Sequence, residues 1–309
     1  MGFQLFKVVT AQCMTAAVVL SLFATAPASL AASANPLFDF QSDPLTTEFR
    51  GAYSGVSGAT VNVDVPYGLD DAQKYDVYMP ENRSNAPVIV MVHGGDWKSG
   101  DKQDSGVAAD KAGYWVAKGY IFISLNYRLL PKKDPLIQAA DVALAIANIQ
   151  KSASNWSANK SKIVLMGAGA GGHLVALLSS NPSLASDQGA SVWAGAVVLE
   201  TPALNIPAIM SSEHASIYDT AFGSNVEFWE DSSPSHLVAS SGLPMMVVCA
   251  TESSSNTCAR ANAFAQAAGN AGVTINVSQQ PISSGEVNSK LGLASSYTNT
   301  VASFVDSLL

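Results

Sequence analysis

The residues with most chemical potential in this chain gather around one glycine-rich turn, Met166-Gly167-Ala168-Gly169-Ala170-Gly171-Gly172-His173. A buried apolar run enters it and a helical period leaves it, and its G-x-?-x-G spacing is that of an elbow that presents a nucleophile. Acyl-transfer chemistry there needs a hydroxyl at the centre, an imidazole to take its proton and a carboxylate to orient the imidazole. The central residue is Gly169, which has no side chain to attack with. Gly167, Gly171 and Gly172 let strand and helix pass closely whether or not chemistry happens. A dinucleotide site is the competing reading, because Gly167, Gly169 and Gly172 satisfy G-x-G-x-x-G after a strand. It fits less well: at least three strands precede the turn, and the next acid, Asp187, lies fifteen positions past Gly172 instead of about twenty.

Upstream, Val92-His93-Gly94-Gly95-Asp96-Trp97 closes an apolar run. Adjacent glycines at a strand end can aim backbone N–H groups at a developing oxyanion, and Gly94, Gly95 and the Ala170 backbone are the candidates for that role. His93 reads as a structural hydrogen-bonding residue of this loop, and Trp97 as a pocket residue. Glu200, Glu252 and Glu286 are carboxylates that could face one cleft, with ordinary surface exposure as the alternative. His173, His214 and His236 are the remaining imidazoles, and none has a candidate nucleophile at a strand end beside it. No His/Asp/Glu set has ligand spacing, so neither a metal nor another cofactor is expected.

The elements that must hold these residues alternate between strand and helix periods. Strands are expected at Thr60–Val65, Tyr75–Met79, Pro87–Val92, Tyr120–Leu125, Ile163–Met166, Ala194–Leu199, Met245–Cys249 and Val273–Val277. Helical spacing marks Ser105–Lys118, Asp134–Lys151, Gly172–Ser180, about 257–269 and about 296–308. The expected fold is α/β, a mostly parallel central sheet with helices on both faces. Residues 203–235 show no clear period and carry Pro207 and Pro234. That region is expected to be an excursion over the end of the sheet where ligands bind.

In order along the chain, Tyr75-Asp76-Val77-Tyr78, His93-Gly94-Gly95-Asp96-Trp97, Asn126-Tyr127-Arg128-Leu129, the helix around Asp141 and the turn from Gly167 to Leu174 resemble the α/β-hydrolase carboxylesterases. The branch most similar is that of the kynurenine formamidases and small-ester esterases. Ser233-Pro234-Ser235-His236 and Leu243-Pro244-Met245-Met246 look like later landmarks of the same family, so the resemblance spans about 59–309. It implies a serine at the elbow centre, an acid just beyond the seventh strand and a histidine base near the start of 284–288. This chain has Gly169, Ser253 and Ser284 at those positions, and no histidine follows His236. The expectation is a hydrolase scaffold without its triad, keeping a pocket for a small acyl or aromatic ligand. Two alternatives stand beside it: a working hydrolase with an unorthodox residue set, and a structural or interaction protein with the pocket closed.

Composition narrows the rest. The 309 residues are 48% hydrophobic and only 13% charged, with a mean hydropathy of +0.19, enough to fill a substantial core. Sixteen basic against 24 acidic residues give a net charge of −8, which would repel a phosphate backbone, so nucleic acid is not an expected partner. Residues 1–34 read as a cleavable export signal, with Lys7 in the charged segment, an apolar run after it and small residues at its end. The run is too short for a stable membrane span, and Cys13 precedes most of it, unlike a lipoprotein attachment cysteine. The expected location is periplasmic or extracellular, with a single domain over 35–309. Cys249 and Cys258 can then either form a disulfide or remain two buried thiols. Oligomeric state is not legible.

Overall fold

Eight strands pair into one sheet in the computed structural model, which describes residues 56–104 and 106–309. The export-signal reading, with Lys7 and Cys13, lies outside the described residues. The elements run β1 (Ala59–Pro66), β2 (Lys74–Pro80), β3 (Ala86–Val92), α1 (Ala109–Ala117), β4 (Ile121–Leu125), α2 (Pro135–Ser152), β5 (Ala158–Ala168), α3 (Ala170–Ser180) and α4 (Ser183–Ser186). There follow β6 (Gly195–Leu199), α5 (Ile206–Met210), α6 (Ser216–Phe222), α7 (Val226–Asp231), α8 (Pro234–Leu237), β7 (Met245–Ala250), α9 (Thr257–Asn270), β8 (Ile275–Gln280), α10 (Ser284–Ser289) and α11 (Ser296–Ser307). Strand order is β1-β2-β4-β3-β5-β6-β7-β8. Only the pairs β1–β2 and β2–β4 are antiparallel; from β4 to β8 the sheet is parallel.

That order decides where a site can form. The chain leaves β3 toward β4 on one side and returns to pair β5 on the other. The connections after β3 and β5 therefore diverge and leave a crevice at the carboxyl ends of the two strands. Both glycine motifs sit there, because Gly94 and Gly95 follow β3 and Gly169 follows β5.

Burial on both faces explains the continuous apolar strands. One face packs α2, α3 and α9 through residues such as Val142, Ile146, Leu174, Leu177 and Phe264. The other packs α1 and α11 through Ala112, Trp115, Val301 and Val305. Each fully buried Val, Ile or Leu contributes about 1.5–3 kcal/mol relative to exposure. Helix α2 starts where Asp134 accepts a hydrogen bond from the Ile137 N–H at 3.0 Å, with Pro135 in the first turn.

The structure corrects several expected boundaries. Strand β5 begins five residues before Ile163, because Ala158 also pairs with Ala86 of β3 and the ladder outruns the apolar stretch. Strand β8 lies at 275–280, later than the apolar cue at Val273. Helix α3 starts at Ala170, before the apolar period becomes visible, and α1 starts only at Ala109. The region 203–235 contains three short helices, α5 to α7, and the start of a fourth, α8. Helices of four to seven residues are too short to display a period, although Asn205 and Asn225 cap two of them with their side chains.

Candidate functional site

Gly169 occupies the turn between β5 and α3 at φ 54°, ψ −116°. Such a backbone is strained for any residue with a Cβ. Its N–H donates to Leu199 O at 2.9 Å and its carbonyl accepts from the His173 N–H at 3.0 Å, so the turn is pinned to β6 on one side and to α3 on the other. Space is not what excludes a side chain here. A Cβ built on Gly169 would meet nothing nearer than Gly94 Cα at 3.9 Å. Gly171 differs, since a Cβ there would run into the carbonyl oxygens of Val92 and His93. The turn is thus tightly held around a glycine with open space beside it.

Its companion loop is held by the residues of the other motifs. Tyr127 stacks on His93 with ring centroids 4.4 Å apart, and its hydroxyl donates to His93 O at 2.9 Å. The His93 Nδ1–H donates to Gly94 O at 2.8 Å, and burial holds its pKa below the usual imidazole value. His93 thus helps hold the loop through its ring stacking and its hydrogen bond. Arg128 clamps Asp141 of α2 through Nε and Nη2, while buried Lys102 bridges Asp64 and Asp76 at 2.9 and 2.8 Å. These pairs tie the loop after β4 to α2 and the loop after β3 to the sheet. Among the described residues, the Gly95 N–H and the Ala170 N–H at the start of α3 have no acceptor. Unpaired N–H groups at a helix N-terminus suit a carbonyl oxygen or an anion.

A cavity of about 370 Å³ opens beside them. Gly94, Gly95 and Gly169 border it, together with Asp104, Val107 and Asn288. Asn288 was not legible in the sequence. Its Oδ1 is buried without a hydrogen-bond partner. Its backbone carbonyl accepts from Lys111 Nζ at 2.6 Å, and the same ammonium donates to Gly106 O at 2.7 Å. Lys111 thus joins two residues of the cavity wall. Burial pushes its pKa down to about 7, offset in part by Asp110. A capping box, Ser283 with Glu286, was the available signal that a helix begins here. It puts Ser284 and Asn288 four residues apart on one face of α10.

Of the three carboxylates expected to share a cleft, only Glu200 occupies a shared site. It stands directly after β6 at φ 45°. Its Oε2 accepts from the Ala250 N–H at 2.7 Å, and its Oε1 accepts from Thr257 Oγ1 at 2.9 Å and Ser284 Oγ at 2.8 Å. Glu286 instead closes the capping box and pairs with Lys290 at 2.7 Å. The Lys290 ammonium and the Ser283 donors hold its carboxyl down at about 2. Glu252 is exposed in the turn after β7. Ser253, at the expected acid position, accepts from the Ser255 N–H at 3.2 Å within that turn. Trp97 is also corrected: it is buried against His173 and Phe222, with its indole N–H donating to His173 Nδ1 at 3.2 Å.

The histidines have structural partners. His173 is wholly buried, and its Nε2–H donates to Ser232 O at 2.7 Å, fastening α3 to the 203–235 excursion. Burial lowers its pKa to about 4. His214 pairs with exposed Asp219 at 3.1 Å, and His236 lies 3.2 Å from Ser233 Oγ. Cys249 and Cys258 are joined as a disulfide that links the end of β7 to the first turn of α9. Their neighbours Ala250 and Thr257 are two of the three donors to Glu200.

Known proteins are similar to this chain in sequence and in fold. A kynurenine formamidase from Danio rerio is 32% identical over 119 residues, 38% of each chain, and esterase LipC from Mycobacterium tuberculosis is 33% identical over 115 residues, 37% of this chain and 28% of that one. The aligned segment thus spans well under half of those relatives. Among solved structures, esterase B from Lactobacillus rhamnosis superposes with a TM-score of 0.68 at 19% identity, covering 82% of this chain and 86% of that one. A truncated carbohydrate esterase from gut microbiota gives 0.69 at 16% identity, covering 83% and 98%. At such identities the superpositions speak for the α/β-hydrolase fold alone. The BD-FAE family model matches residues 75–267, which include both glycine motifs and the disulfide, and the chain belongs to that family of α/β-hydrolase carboxylesterases.

Proposed function

We propose that this esterase- and formamidase-like α/β-hydrolase does not turn over esters or amides at an enzyme's ordinary rate and instead binds a small acyl or aromatic ligand in the elbow cavity. One observation carries the reading: Gly169 stands at the elbow centre with its surroundings otherwise kept. The unpaired N–H groups of Gly95 and Ala170 support a ligand carbonyl or carboxylate at that end of the cavity. His214 and His236 are engaged elsewhere, which disfavours an unorthodox hydrolase. Residual catalysis by an oxyanion site and binding alone amounts to about 10³–10⁴-fold over water, far below an ordinary esterase.

The first test is the initial rate of p-nitrophenyl acetate hydrolysis by the purified chain, set against buffer and denatured protein. A rate near the blank and no covalent labelling by a fluorophosphonate are expected. Turnover near ~10 s⁻¹ would overturn the inactive reading. Ligand binding is read separately, as a rise in melting temperature with millimolar acetate, phenylacetate or benzamide. No rise with any of the three would count against an open acyl or aromatic pocket and favour a structural or interaction role.

A further inference from the structure

Resting on the reading of the elbow as a site without a nucleophile, we infer that Glu200 is this site's acid, so that two members of a serine triad are missing and the carboxylate is kept. The juxtaposition that assigns it is the 2.8 Å hydrogen bond from Ser284, at the expected base position, to Glu200 Oε1. A triad acid accepts a hydrogen bond from the base and holds it in place. Glu200 does this for the side chain that now stands at the base position. Ser253 contributes only to its own turn.

The carboxylate is held as an orienting group must be. Ala250 N–H and Thr257 Oγ1 fix it from β7 and α9, independently of Ser284. Glu200 keeps a left-handed backbone, an unfavourable conformation for a residue with a Cβ that persists where surrounding structure over-determines it. The site also sits beside the elbow, since Leu199, the residue before Glu200, accepts the Gly169 N–H. One turn along α10 from Ser284, Asn288 borders the same cavity as Gly169. Ser284 is exposed, so an imidazole can replace its hydroxyl without displacing core, and Gly169 has open space for a hydroxymethyl group.

The inference makes a chemical claim about two substitutions, G169S and S284H. The introduced hydroxyl would attack the ester carbonyl carbon as the introduced imidazole takes its proton. Gly95 and Ala170 N–H groups would receive the oxyanion. Collapse would expel the alcohol with the proton returned by the imidazole, leaving an acyl-enzyme, and water activated by the same imidazole would release the acid. Glu200 would orient the imidazole and stabilise its charged form.

Two measurements test this. In S284H alone, which avoids the strained elbow, the new imidazole is titrated by NMR and compared with S284H/E200Q. A pKa about one unit or more higher with Glu200 present is expected; equal values would overturn the inference. In G169S/S284H, p-nitrophenyl acetate hydrolysis is expected to rise at least ~10²-fold over the parent and to fall back by a similar factor on adding E200Q. A folded double variant no faster than the parent, or one indifferent to E200Q, would also overturn it. If G169S does not fold, the NMR comparison decides alone. Fast hydrolysis by the parent chain would defeat the inactive reading without altering that comparison, so the two failures are distinguishable.

Discussion

At the scale of single residues, polar groups that look catalytic in a sequence divide by what pairs with them. His173 follows the elbow by four positions, yet both its ring nitrogens are used inside the core, by Trp97 and by the Ser232 carbonyl. Burial penalises the charged imidazolium and lowers the pKa to about 4 against 6.5 for the free group, the Ser232 carbonyl offsetting part of that. The unfolded chain therefore binds the extra proton between those values, and stability falls as pH drops from 6.5 toward 4, by up to about 3 kcal/mol. Urea unfolding at a series of pH values is expected to show this slope in the parent. H173L should lose it while costing about 2–4 kcal/mol at neutral pH through the orphaned Trp97 and Ser232 groups. An unchanged acid slope in H173L would assign the effect to other groups.

At the scale of elements, the site depends on how closely α3 passes the end of β3. Gly171 faces the carbonyls of Val92 and His93 with no room for a methyl group, whereas Gly169 has room and only an unfavourable φ. G171A is expected to lose about 3 kcal/mol or more, or to fail to fold, because backbone must move. G169A should cost only about 1–2 kcal/mol, the strain of a Cβ at that conformation. Paired chemical denaturation curves check the ranking; similar losses would mean that the contact between α3 and β3 is looser than described. The same element scale explains Glu200, whose partners come from β7, α9 and α10 and whose surroundings the Cys249–Cys258 bond ties together.

At the scale of the molecule, the buried charges set the pH response. Lys111 joins Gly106 to Asn288 across the cavity wall, with Asp110 as the nearby charge that partly offsets its burial. Between about pH 7 and 10.5 the unfolded chain holds a proton that the folded one gives up, so stability should rise with pH across that window, at most about 1.4 kcal/mol per pH unit. Above pH 10 the trend reverses, because burial raises the pKa of Tyr75, Tyr127 and Tyr297 and the unfolded chain loses their protons first. K111M is expected to flatten the rise between pH 7 and 10 in thermal unfolding. A K111M profile parallel to the parent's would sink this account.

The sequence by itself determined the fold class and which residue types stand at the elbow and after it. Continuous apolar runs such as Pro87–Val92 and the Asp134-capped helix are local patterns, and the turn around Gly169 is read from eight neighbouring residues. The lack of serine at Gly169 and of any histidine after His236 needs no coordinates. Only the tertiary structure decided which residues meet. Glu200 and Ser284 are 84 positions apart and Trp97 and His173 are 76, and neither pair has a spacing signal. It withdrew Trp97, Glu252 and Glu286 from the expected pocket and supplied Asn288 in their place. The physical reason is one of range. Periodicity and capping are set by residues within a turn or a pleat of each other, whereas a site at the carboxyl ends of parallel strands is assembled from loops whose separation in sequence is fixed by the crossovers between them.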